Sequence, residues 1–85
     1  MVSVELYYAD WCPFCRRAKA LLDQKNVQYA LYDVDQGDTK HTMIERAGGK
    51  TSVPQIFIDN QHIGGCDDLY ALEGRQELDS LLQGK

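Results

Sequence analysis

The sequence predicts an α/β fold: a four-stranded mixed β-sheet flanked by three or more α-helices, in the order β-α-β-α-β-β-α. Three observations predict it. Short runs with the alternation of half-buried strands lie near residues 2–8, 27–35 and 54–63; stretches rich in helix formers separate and follow them; and the connections are short.

In the first run, Val2, Val4 and Leu6 alternate with Ser3, Glu5 and Tyr7, the period of a strand with one buried face. Residues 13–25, "PFCRRAKALLDQK", form the first helix. Pro13 suits its first turn, where the missing N–H costs nothing, and Cys15, Ala18 and Leu22 share an inward face. Cys12 then falls at the helix start, where unpaired backbone amides point outward. "VQYALYDVD", residues 27–35, is a second strand, parallel to the first because a helix joins them. Asp38 is a plausible N-cap for a second helix with Met43, Ile44 and Ala47 as its apolar stripe, ended by Gly48 or Gly49. A strand through Phe57 and Ile58, a tight turn at Asp59 and Asn60, and an antiparallel return at His62 and Ile63 follow. From Asp67 the chain is helical in character, with Gly74 either a kink or a break.

The 85 residues suffice for a single domain, residues 1–85, and at this size folding buries roughly 60–65% of the surface that the unfolded chain exposes. Residues are 44% hydrophobic and 26% charged, with no low-complexity tract, as in an ordinary globular domain. Nine Lys and Arg against 13 Asp and Glu give a net charge of -4, which repels a phosphate backbone and argues against nucleic acid as a partner. The first residues lack the basic start and apolar run of a signal peptide, and no stretch has the length of a membrane span, so a cytoplasmic protein without a membrane partner is expected.

In the cytosol thiols stay reduced, so the pair in "DWCPFCRR", Cys12 and Cys15, reads as catalytic or metal-binding rather than as a structural disulfide. A zinc site wants four ligands in close pairs, and the further candidates, Cys66, His62 and His41, do not make a second pair. No metal is therefore expected. A thiol must ionise to attack a disulfide, and a cysteine at a helix N-terminus accepts amide hydrogen bonds that favour the thiolate. Cys12 has that position and is expected to be the exposed, attacking thiol. Cys15, one turn further and facing the core, suits the resolving role. Cys66 can equally be a buried small apolar residue.

Three segments in this order, "CPFC", "TSVPQIFID" at 51–59 and "HIGGCDDLYAL" at 62–72, resemble those of the glutaredoxins, particularly the short bacterial glutathione-dependent type with the thioredoxin-like fold. The resemblance runs over nearly the whole chain. It implies reduction of glutathione mixed disulfides and of protein disulfides, ribonucleotide reductase being one such acceptor, by a monomer that takes electrons from glutathione. It also implies a cis peptide between Val53 and Pro54, with Val53 presenting its backbone to the cysteine of glutathione. Lys50 would either meet the glycine carboxylate or be a solvated loop lysine, and Phe14 would pack beside the ligand. The amides of Cys66 and Asp67, after the close approach allowed by Gly65, would receive the γ-glutamyl carboxylate, and Asp67 or Asp68 would meet the amino group. Rival readings are a redoxin reduced by thioredoxin reductase and a non-enzymatic iron-sulfur carrier.

The chain departs from the family pattern at three places. Phe14 stands where many members have tyrosine, Ala9 where many have lysine, and Trp11 gives a thioredoxin-like "WC" start. With Asp10 adjacent, the Cys12 thiolate is expected to have less positive support than in its relatives.

Overall fold

The computed structural model describes residues 2–84. Its elements are β1 (Val4–Tyr8), α1 (Pro13–Gln24), β2 (Ala30–Asp33), α2 (Thr39–Arg46), β3 (Gln55–Ile58), β4 (Gln61–Gly64), α3 (Cys66–Gly74) and α4 (Leu78–Leu82). The strands lie in the order β2-β1-β3-β4. β1 pairs in parallel with β2, as the intervening helix requires, and antiparallel with β3, which pairs antiparallel with β4.

Alternation along the two central strands builds two cores. Val4 and Leu6 of β1 and Ile56 and Ile58 of β3 point to one face, where Ala18, Leu21 and Leu22 of α1, Leu69 of α3 and Leu78 and Leu82 of α4 cover them. Tyr7 and Phe57 point to the other, with Met43 of α2, Ala47 at its C-cap, and Cys12 and Cys15. The cysteine pair thus belongs to the smaller cluster. Arg46, at the end of α2, ties this face together. Its guanidinium forks onto the two Glu5 carboxylate oxygens at 3.0 Å each, donates to the Tyr7 hydroxyl at 2.9 Å and lies 4.1 Å over the Phe57 ring.

Several expectations are sharpened. The first strand begins at Val4 rather than Val2, and the second is confined to residues 30–33 at the sheet edge, where Ala30, Leu31 and Tyr32 are exposed. Val27 and Tyr29 still pack against the larger core from outside the strand. Asp38 occupies the N-cap of α2, but its side chain makes no capping hydrogen bond. Asp59 and Asn60 both take left-handed backbone, with φ of 51° and 65°, which matches the twist of a two-residue hairpin. Gly74 marks a break: α3 ends there, Gln76 turns at φ 61°, and Glu77 N–H donates to the Leu72 carbonyl at 2.9 Å. The turn redirects the chain so that Leu78 is fully buried.

Candidate active site

The strand-to-helix junction sets the geometry of the cysteine pair. After β1, Ala9 is buried, and its carbonyl accepts the Cys12 N–H at 3.2 Å, a tight turn that delivers Cys12 to the N-cap of α1. The Cys12 Sγ accepts the backbone N–H of Cys15 at 3.4 Å, one of the amides the helix leaves unpaired. On its other side the thiol donates to the Val53 carbonyl at 3.6 Å, across 41 residues of sequence.

That second contact corrects one expectation. Cys12 is not an outward thiol: it is 4% exposed against 1% for Cys15. The segment before β3 lies over it, so the inequality of the pair is one of bonding and environment rather than of exposure. Burial, with Cys12 as a neighbour, pushes the Cys15 thiol up to about 12, so at neutral pH it stays protonated. The position without the family lysine is a buried wall of the smaller core, while Arg16 turns its guanidinium to the Asp10 carbonyl at 3.3 Å. Trp11 and Phe14 flank the pair as exposed aromatics, and the Trp11 indole N–H donates to Asp35 at 3.2 Å.

Beside the pair opens a cleft of about 220 Å³. It brings together the other candidate residues: Phe14 from α1, Lys50, Val53 and Pro54 from the segment before β3, and Gly65, Cys66 and Asp67 from the start of α3. The Val53–Pro54 peptide is cis. A Cβ at Gly65 would come within 3.3 Å of the Pro54 carbonyl, so the residue type permits the close approach of the two walls. Lys50 is exposed and makes no ion pair among the described residues. Cys66 is buried, which raises its thiol.

The two acids that the sequence could not separate are distinct here. The Asp68 carboxylate accepts the Gly65 N–H at 3.0 Å and so caps α3, whereas Asp67 is exposed at the cleft without an internal hydrogen bond among the described residues. Ser52 lines the cleft as well, and one further lining residue, Gln55, escaped the sequence reading. A single glutamine inside "PQIFI" was the available signal. Among the described residues no group of three or more His, Cys, Asp or Glu could hold a metal ion, and no helix is long and apolar enough to cross a membrane.

A dithiol at a helix start, faced by the backbone before β3 on a four-stranded mixed sheet, defines a redox protein of thioredoxin-like fold. Comparison with known proteins narrows the class. The family model described as Glutaredoxin matches residues 4–63. The chain is 52% identical over 83 residues to Glutaredoxin 3 of Escherichia coli strain K12, covering 98% of this chain and 100% of that one. Among solved structures it is similar to the glutaredoxin of Brucella melitensis, with a TM-score of 0.84, 48% identity and coverage of 100% and 94% of the two chains. It is also similar to a buckwheat glutaredoxin-glutathione complex, with a TM-score of 0.87, 26% identity and coverage of 98% and 78%. The chain belongs to the glutaredoxin family, and it is a glutathione-dependent thiol-disulfide oxidoreductase.

Proposed function

We propose that the cleft takes the glutathione half of a mixed disulfide and that Cys12 is the attacking thiol. The observation that carries this is the Cys12 Sγ, held between the Cys15 amide and the carbonyl of Val53, a residue that lines a cleft whose walls are complementary to glutathione. Lys50 suits the glycine carboxylate, the α3 amides of Cys66 and Asp67 suit the γ-glutamyl carboxylate, and Asp67, free of the capping duty that Asp68 performs, suits the ammonium. Val53 offers its backbone to the ligand's cysteine as a strand partner would. Gly65, Pro54 and Phe14 complete the lining.

The Cys12 thiolate attacks the glutathione sulfur, forming a Cys12–glutathione disulfide as the sulfur–sulfur bond to the substrate breaks and the substrate leaves as a thiolate that takes up a proton. A second glutathione thiolate attacks that disulfide, releasing oxidised glutathione and returning Cys12. With a protein disulfide, the Cys12 thiolate attacks one sulfur as the bond to the other breaks and that sulfur leaves as a thiolate that takes up a proton; Cys15, losing its proton as it attacks Cys12 Sγ, then expels the second protein thiol. The resulting Cys12–Cys15 bridge is reopened by two glutathiones. Ribonucleotide reductase is a fitting protein substrate of this kind, and residues 1–85 acting as one monomeric cytoplasmic domain complete the reading.

The test uses the Cys15→Ser variant with oxidised glutathione. It should gain one glutathione on Cys12, with amide shifts on binding concentrated at Lys50, Val53 and Asp67. Glutathione on another cysteine, or shifts confined to a different face, would overturn the reading.

A further inference from the structure

From the wall of the cleft a polar chain that the exchange chemistry does not use runs to β4. Gln55, the first residue of β3, is 2% exposed and is the buried polar side chain of the fold among the described residues. Its Nε2 donates to the Ser52 carbonyl at 3.0 Å and to the Ser52 Oγ at 3.3 Å. Its Oε1 is therefore turned to His62, whose Nε2 lies at 2.6 Å. A glutamine oxygen only accepts, so His62 must carry its proton on Nε2 and donate it. The His62 ring is in turn held by stacking on Phe57 at 5.0 Å, with the Arg46 guanidinium also against Phe57.

A buried amide that satisfies both its ends fixes whatever it touches, because breaking either bond leaves a polar group without water. What Gln55 touches is Ser52, the residue before Val53. We propose that Gln55, oriented by His62, is a positioning residue for glutathione exchange. It fixes Ser52, and through it the Val53 carbonyl and amide, at the height above Cys12 that the bound tripeptide needs. The inference rests on the reading of the cleft as the glutathione site. His62, on β4, thereby acts on an exchange step it never touches.

The test compares two rates in each variant: exchange with the mixed disulfide of glutathione and β-mercaptoethanol, and alkylation of Cys12 by iodoacetamide, which needs no cleft. Gln55→Met, which keeps the volume and removes all three hydrogen bonds, should slow exchange about tenfold. Alkylation should proceed at the wild-type rate or faster, since a displaced Val53 carbonyl no longer turns its negative end to the sulfur. His62→Phe keeps the stacking but not the donor and should slow exchange severalfold, whereas His62→Gln, which restores a donor, should recover most of the loss. A merely structural role would lower both rates together along with the melting temperature, and that outcome overturns the inference. Asp67→Ala, run in parallel, separates the two levels. If it slows exchange while Gln55→Met does not, the positioning role alone fails; if neither variant slows exchange, the reading of the cleft fails as well.

Discussion

Cys15 serves Cys12 with its main chain before it serves with its sulfur: the Cys15 N–H points at the Cys12 Sγ from 3.4 Å, while its own thiol is buried and protonated. Replacing the Cys15 side chain leaves that amide in place. Cys15→Ser should therefore retain most of the exchange with glutathione mixed disulfides and lose reduction of protein disulfides. Cys12→Ser should lose both, by at least about a thousandfold, since no thiol remains at the helix start. Coupled assays with a glutathionylated thiol and with a disulfide-bonded protein measure the two arms.

The displaced thiol of Cys15 also predicts how reduced protein behaves in alkali. Its folded value of about 12 lies above its ordinary 9.0, so folding favours the protonated form. The resulting stabilisation is fully present below about pH 9, where both states are protonated, and is lost as pH rises toward 12. Burial and the Asp23 hydrogen bond move Tyr29 in the same direction, also to about 12. Denaturant midpoints for the reduced protein should fall between about pH 9 and 12, and Cys15→Ser should make the fall shallower.

Asp67 and Asp68 are adjacent but should fail in different assays. Asp68→Ala removes the acceptor for the Gly65 N–H and should cost about 1 kcal/mol of stability, seen as a lower melting temperature. Asp67→Ala leaves that cap intact and should leave melting nearly unchanged while weakening glutathione exchange severalfold. Gly64 tests the same corner. At φ 121° it sits where an added Cβ would overlap the Asp68 carboxylate, so Gly64→Ala should lose both stability and exchange.

Arg46 engages Glu5, Tyr7 and Phe57 at once, and a lysine can reproduce the charge but not the planar fork. Arg46→Lys should cost about 1–2 kcal/mol and Arg46→Ala about 2–3 kcal/mol, the larger loss reflecting a half-buried Glu5 left without its partner. Thermal and denaturant melts read the difference.

The strands and helices were legible because each rests on a local period: the alternation of Val4 and Leu6 with Glu5 and Tyr7, or the spacing of Cys15, Ala18 and Leu22. Their ends were less so. The break after Gly74 depends on Leu78 finding space in the core, which no local propensity encodes. The fold brings the candidate residues of the cleft together, since their motifs carry the resemblance, but the burial of Cys12 was missed. It arises from a carbonyl 41 residues away, a contact that only the folded chain supplies. The contact between Gln55 and His62 was missed for the same reason: a glutamine in an apolar strand and a histidine after a turn have no joint signature until β3 and β4 pair.

The sheet divides the protein's apolar interior into two compartments, with the sulfurs of Cys12 and Cys15 in the one that faces α2. On the proposed mechanism their bridge closes and opens within that compartment, while the leucine-rich side contains neither sulfur. The larger core can thus act as a keel, keeping its packing through successive turnovers while the smaller one absorbs the movement of each two-electron cycle.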